Sequence, residues 1–287
     1  MTNARPRRGV RALARMLAAA VATGMLAACA SVPDLATRHL TADRLVQPLG
    51  WQSRRIIAGR IELQAWHPED FGGATLTVYI EGDGFAWRTP TRPSTDPTPI
   101  DPMALRLAIA HPSPQVAYLA RPCQYVGTQL CTVHDWTDGR FAAALISASN
   151  TALDRLKQEA GANKLVLVGY SGGGTVASLL AARRSDAIRL VTVAGNLDHR
   201  AWTTFHRIDP LLGSLNPADD IPRLARIAQL HFVGGRDTVI PPWLVEGFAE
   251  RFPVAHQPGV VFERDFDHHC CWAQAWPRLA RQAGLAD

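Results

Sequence analysis

Apolar and polar positions along this chain fall into alternating short runs. Ile56 to Trp66 is a strand candidate, and Ala74 to Glu81, β-branched and stopped by Gly82, is a stronger one. Val116 to Ala120 is a third. Phe141 to Ala160 has helical spacing, with Phe141, Leu145, Ile146, Leu153 and Leu156 on one stripe and Gly161 beyond as a stop. Lys164 to Val168 is nearly all apolar, the pattern of a strand buried on both faces of a parallel sheet. Gly172 to Arg183 then reads as a helix with small residues on its packing side. Ile188 to Ala194, Ile227 to Val233 and Val260 to Phe266 are further strands, separated by helices at Pro241 to Arg251 and Trp272 to Ala283. Strand and helix alternating in this way imply an α/β architecture, a mostly parallel central sheet with helices on both faces.

Three stretches depart from that rhythm. Ser31 to Arg54 has no sustained period and reads as a tether, which makes 29–54 an N-terminal extension of a domain spanning 55–287. Residues 88–102 hold Pro90, Pro93, Pro97, Pro99 and Pro102, which excludes a helix or an interior strand. Residues 195–223 form a long, aromatic excursion between strands. Either of the last two could roof a site as a lid or be a plain surface loop.

The first 28 residues read as an address rather than as fold. Arg5, Arg7, Arg8, Arg11 and Arg15 make a basic start, and Met16 to Ala28 is an apolar run shorter than the ~20 residues a bilayer span needs. The run ends at Leu26-Ala27-Ala28-Cys29, which resembles the lipobox of bacterial lipoproteins, and the residue after the cysteine is Ala30 rather than Asp, which looks like the outer-membrane sorting choice. That resemblance implies cleavage before Cys29 and acylation of its thiol. It further implies a lipid-anchored protein of the bacterial envelope, on the outer membrane facing the periplasm.

This leader changes the charge argument. Lys and Arg total 30 against 25 Asp and Glu, but five of the 30 are the leader arginines, so the remainder is formally neutral. The basic excess gives no ground for a nucleic-acid partner. Cys123, Cys131, Cys270 and Cys271 would sit in an oxidising compartment and are disulfide candidates. A local pairing, Cys123 with Cys131 and Cys270 with Cys271, competes with two crossed ones.

The chemistry lies at Gly169-Tyr170-Ser171-Gly172-Gly173, a G-x-S-x-G motif between the buried strand and the helix that follows it. A sharp strand-to-helix turn needs glycines so that the two elements approach closely while the serine points outward. A serine hydroxyl needs a base to take its proton and a third group to orient that base. Leu230 to Gly234 runs through Gly235 into Asp237, with Pro241-Pro242 beyond, and the last strand runs into Asp267-His268-His269-Cys270-Cys271-Trp272. Four consecutive residues cannot easily converge on one tetrahedral ion, so the His-His-Cys-Cys run is not read as a metal site.

Serine, acid and histidine in this chain order resemble the α/β-hydrolase superfamily, from about Ile56 to the C-terminus. With the lipobox, Arg121-Pro122-Cys123-Gln124-Tyr125, and His269-Cys270-Cys271-Trp272, the chain resembles bacterial lipoproteins of α/β-hydrolase type. That resemblance implies an α/β-hydrolase fold in which Ser171 is the nucleophile and Asp237 the acid, with Asp198 in reserve. The base is His268, as the first after the strand, or His269. Two N–H donors for the oxyanion are expected, one from Gly172 and one from the glycine-rich loop Glu81 to Phe85, where Asp83 is the choice. Phe85, Trp87 and Trp272 could line an acyl pocket. The expected reaction is hydrolysis of a small-molecule or lipid ester through an acyl-enzyme, with no metal or organic cofactor. A thioesterase, peptidase or acyltransferase on the same residues, or a non-catalytic binding lipoprotein, are the alternatives.

Overall fold

Continuous apolar strands need two cores, and the chain builds both. In a computed structural model that describes residues 32–127 and 129–285, Leu165 and Leu167 point into one core while Val166 and Val168 point into the other. They belong to Lys164–Tyr170, a central strand of an eight-stranded sheet. The chain divides into Met1–Pro33 and Asp34–Asp287, and all the elements below belong to the second unit.

The sheet strands are β1 (Gln52–Ala58), β2 (Ile61–His67), β3 (Thr75–Ile80), β6 (Val116–Leu119), β7 (Lys164–Tyr170), β8 (Ala187–Val193), β9 (Ala228–Gly234) and β10 (Gly259–Glu263). A ribbon outside the sheet pairs β4 (Trp87–Thr89) with β5 (Arg92–Pro93). The order across the sheet is β1-β2-β6-β3-β7-β8-β9-β10. From β6 to β10 every pairing is parallel, and β1 and β2 add an antiparallel edge. One core takes residues from the helices Ala143–Glu159, Gly172–Ala181 and Pro242–Ala249; the other takes residues from Leu35–Val46, Met103–Ile109 and Trp272–Gln282. The expectation of a mostly parallel sheet covered on both faces is met.

The local departures have physical causes. Ile56 to Trp66 is a hairpin and not one strand: Ala58 pairs with Ile61, and Gly59 at φ +65° supplies the left-handed turn between them. Residues 34–54, read as a tether, are part of the fold. Asp34 caps the helix Leu35–Val46 by accepting from the Thr37 N–H, and the buried stripe of that helix is Arg38, Ala42 and Val46. A stripe that opens with an arginine hides from a search for apolar period. Arg38 is buried because its guanidinium donates to the carbonyls of Asp96 and Thr98 and pairs with the Asp96 carboxylate at 3.5 Å. Met103–Ile109, directly after the prolines, was also unforeseen. The excursion at 195–223 carries two short helices, His199–His206 and Ile221–Leu224.

Candidate active site

Strand β7 ends at Tyr170, a helix begins at Gly172, and Ser171 sits between them at φ 52°, ψ −122°. That conformation disfavours any residue with a Cβ, at a cost of about 1–3 kcal/mol, so the surroundings must hold it. They do so through the backbone. Ser171 N–H donates to the Val193 carbonyl at 3.0 Å, and the Ser171 carbonyl accepts from Gly174 and Asn196 at 2.9 and 3.0 Å. A Cβ on Gly169 would collide with the Gly173 carbonyl, so the strand and helix meet this closely only because Gly169 has none.

Two loops beyond the C-terminal ends of β9 and β10 bring the partners. His268 Nε2 lies 3.0 Å from Ser171 Oγ, and His268 Nδ1 lies 2.8 Å from Asp237 Oδ2. Asp237 is fully enclosed, and its other oxygen, Oδ1, accepts from the Val239 and Ile240 N–H groups at 2.8 Å each. A carboxylate can only accept, so Nδ1 carries the imidazole proton and Nε2 presents a lone pair to the serine. The His268 carbonyl is pinned by the Tyr170 hydroxyl at 2.9 Å and the Trp272 indole N–H at 3.2 Å. The chain hydroxyl–imidazole–carboxylate can therefore move a proton off Ser171 and hold the resulting cation.

The other candidates are placed elsewhere. His269 packs edge-on to His268 and contacts the Tyr170 hydroxyl at 3.3 Å rather than Ser171; burial, and then the neighbouring His268, lower its pKa. Asp198 caps the helix His199–His206. It accepts from the Arg200 and Ala201 N–H groups and from Asn216, and pairs with Arg251 at 2.6 Å, whereas the carboxylate bonded to His268 is that of Asp237. Trp272 is buried in the core and braces the histidine loop instead of lining a pocket. The structure brings together the local pairs, Cys123 with Cys131 and Cys270 with Cys271. Cys123 and Cys131 lie with Asp135 in a metal-like grouping, but their sulfurs are bonded to each other. Cys29 and the leader lie outside the described residues, and among the described residues no helix is long and apolar enough to cross a membrane.

Ser171 and His268 open into a cleft of about 580 Å³. Its walls include Phe85, Trp87, Ile100, Trp202, Val239 and Ile240, so the segments 88–102 and 195–223 both border it. Gly172 and Asp83 both line it, and the Asp83 carboxylate packs so closely on Gly172 that a Cβ there would strike it. Two buried cations missed in the sequence hold that carboxylate: Arg121 at 3.1 Å and Arg140 at 2.5 Å. Burial pushes the Asp83 carboxyl upward, but the Arg140 and Arg121 guanidiniums more than offset this and hold it below the usual value. Arg121 was within reach of sequence reasoning, since it opens the Arg-Pro-Cys-Gln-Tyr segment; nothing in the pattern marked Arg140.

No family model matches this sequence, and no curated protein is similar to it. Solved structures do match. An esterase of Pyrococcus furiosus superposes with a TM-score of 0.58 at 14% identity, covering 85% of this chain and 93% of that one. Est1E of Butyrivibrio proteoclasticus gives 0.58 at 12% identity, covering 81% and 97%, and has also been solved with ferulic acid bound. An esterase domain from a Rhodothermus marinus protein gives 0.54 at 12%, covering 81% and 98%. What is shared at such identities is the architecture: this chain has the α/β-hydrolase fold of those esterases.

Proposed function

We propose that this protein is a serine hydrolase that cleaves carboxylic esters through Ser171, His268 and Asp237. The observation that carries the reading is the unbroken hydrogen-bonded chain from Ser171 Oγ through the His268 ring to Asp237, opening into a cleft. His268 Nε2 takes the hydroxyl proton as Oγ attacks the ester carbonyl, and Asp237 stabilises the imidazolium. The Gly172 and Asp83 N–H groups are the assigned oxyanion donors, each such donor being worth about 3 kcal/mol. Collapse of the tetrahedral intermediate breaks the C–O bond, and His268 returns the proton to the leaving alkoxide. Water, deprotonated by the same nitrogen, then attacks the acyl-enzyme and releases the acid.

A cleft of about 580 Å³ with aromatic walls suits a small ester better than an extended polymer. The ferulic acid bound to Est1E supports the same substrate class. Acylated Cys29 would tether the fold to the envelope membrane, with the domain facing the periplasm. The test is a panel of p-nitrophenyl esters of two to twelve carbons beside matched thioesters and peptide anilides, with Ser171→Ala as control. The reading expects turnover of short esters at rates well above the thioesters and anilides, lost in Ser171→Ala. Turnover confined to thioesters or anilides would replace it with one of those activities. Absence of turnover on all three would favour a binding lipoprotein.

A further inference from the structure

The segment Arg121 to Tyr125 is unusually constrained for a loop. Cys123 and Tyr125 have φ of 72° and 65°, Cys123 is bridged to Cys131, and Arg121 and Gln124 are buried at 5% and 1% exposure. Buried polar side chains of this kind need partners, and theirs converge on one target. Gln124 Nε2 donates to the Gly82 carbonyl at 3.0 Å, and Arg121 Nη1 donates to Asp83 Oδ1 at 3.1 Å. Arg140, 5% exposed, completes the grip with Nη1 on Asp83 Oδ2 at 2.5 Å. The clamps are themselves braced. Arg121 Nη2 donates to the Arg140 carbonyl at 2.6 Å, Arg140 Nε to the Thr137 carbonyl at 2.5 Å, and Arg121 N–H to Gln124 Oε1 at 3.0 Å. Phe85 N–H, bonded to the Pro97 carbonyl at 3.0 Å, ties down the far end of the loop.

All of this effort fixes three residues, 82–84, that sit against the nucleophile turn. A carboxylate packed on Gly172 would repel negative charge developing on a substrate oxygen there. Two guanidiniums against one carboxylate reverse the sign, leaving the cluster at +1. We propose that Arg121, Gln124 and Arg140 are positioning residues, which hold the Gly82-Asp83-Gly84 loop as the second wall of the oxyanion site and turn the local field positive. The inference rests on the serine-hydrolase reading and assigns a function to the Arg-Pro-Cys-Gln-Tyr segment that the reaction itself leaves unused. Preorganised donors act only on the transition state, so loosening them should lower kcat and leave KM nearly alone.

The test compares wild type with Arg140→Gln, Arg140→Lys, Gln124→Ala and the double variant Asp83→Asn/Arg140→Gln. Each is assayed for kcat and KM on p-nitrophenyl butyrate, per active site titrated with a fluorophosphonate, and for inhibition by butylboronic acid, whose serine adduct is a tetrahedral anion. Arg140→Gln and Gln124→Ala should lose about 10- to 100-fold in kcat, with a parallel rise in boronate Ki and KM within about threefold. Arg140→Lys should recover part of kcat through its charge. The double variant should outperform Arg140→Gln, because the half-paired carboxylate is gone. The inference is overturned if kcat per titrated site and boronate Ki stay within about twofold of wild type in every variant, or if any loss lies in KM or in the fraction of folded sites alone. Arg140→Lys keeps the test decisive should Arg140→Gln not fold. A wild type that neither reacts with the fluorophosphonate nor turns over ester would instead sink the serine-hydrolase reading beneath it.

Discussion

Replacing Asp237 by Asn changes one atom and should nearly abolish activity, for a reason fixed by the geometry around that side chain. Oδ1 of Asp237 accepts from two backbone N–H groups, Val239 and Ile240, at 2.8 Å each. An asparagine must keep its carbonyl oxygen there, since turning round would set an NH₂ against two donors in a buried place. Its NH₂ then faces His268 Nδ1, where the carboxylate now accepts at 2.8 Å. Nδ1 becomes an acceptor, the ring proton moves to Nε2, and Nε2 donates to Ser171 Oγ instead of accepting from it. The wrong tautomer and the lost cation partner together cost about 10⁴ in kcat, or ~5 kcal/mol of barrier. The fold should survive, because the shape and both backbone bonds are kept. The assay is kcat for p-nitrophenyl acetate with the melting temperature measured alongside. An Asp237→Asn variant that melts like wild type and keeps more than about a tenth of its kcat would refute the reasoning.

Other outcomes follow from groups around the site. Burial raises the Glu81 carboxyl from 4.5 to about 7, so the folded state holds a proton the unfolded chain has released, and stability is lost as pH rises across that window. Glu81→Gln should remove that loss, gaining ~3 kcal/mol on wild type between pH 4 and pH 8; parallel denaturation curves at both pH values would contradict it. Arg38→Ala strands the carbonyls of Asp96 and Thr98 and should cost about 3 kcal/mol in urea denaturation, whereas a true tether residue would cost nothing. Replacing Cys123 and Cys131 by serine opens a loop of sequence separation 8 and should cost about 2–3 kcal/mol; an unchanged midpoint would show that the bridge does not constrain the unfolded chain.

How far the fold could be read depended on which residues carried the pattern. Strand β7 and the helix after Ser171 were legible because near-continuous Leu and Val, a glycine turn and small packing residues each point to one structure. The helix Leu35–Val46 was not, because its buried stripe begins with a charged residue whose partners, the carbonyls of Asp96 and Thr98, lie some sixty positions away. Of the two adjacent histidines, chain order favoured His268; what brings its ring rather than that of His269 to Ser171 is where each side chain points, and no local spacing encodes that. Asp237 was preferred to Asp198 in sequence for its glycine turn and the prolines beyond it. They differ in what surrounds them: a helix start and Arg251 for one, a turn and an imidazole for the other. Arg140 escaped because its partner Asp83 lies on a distant loop, and only the folded chain brings two arginines to one carboxylate.

The account turns on whether Ser171 is activated by His268. Intact-mass detection of fluorophosphonate labelling measures this directly, on wild type, Ser171→Ala, His268→Ala and His269→Ala. One adduct is expected on wild type and on His269→Ala, none on Ser171→Ala, and a rate reduced by about 10³ or more on His268→Ala. Equal labelling of His268→Ala and wild type, or an adduct that persists in Ser171→Ala, would contradict it.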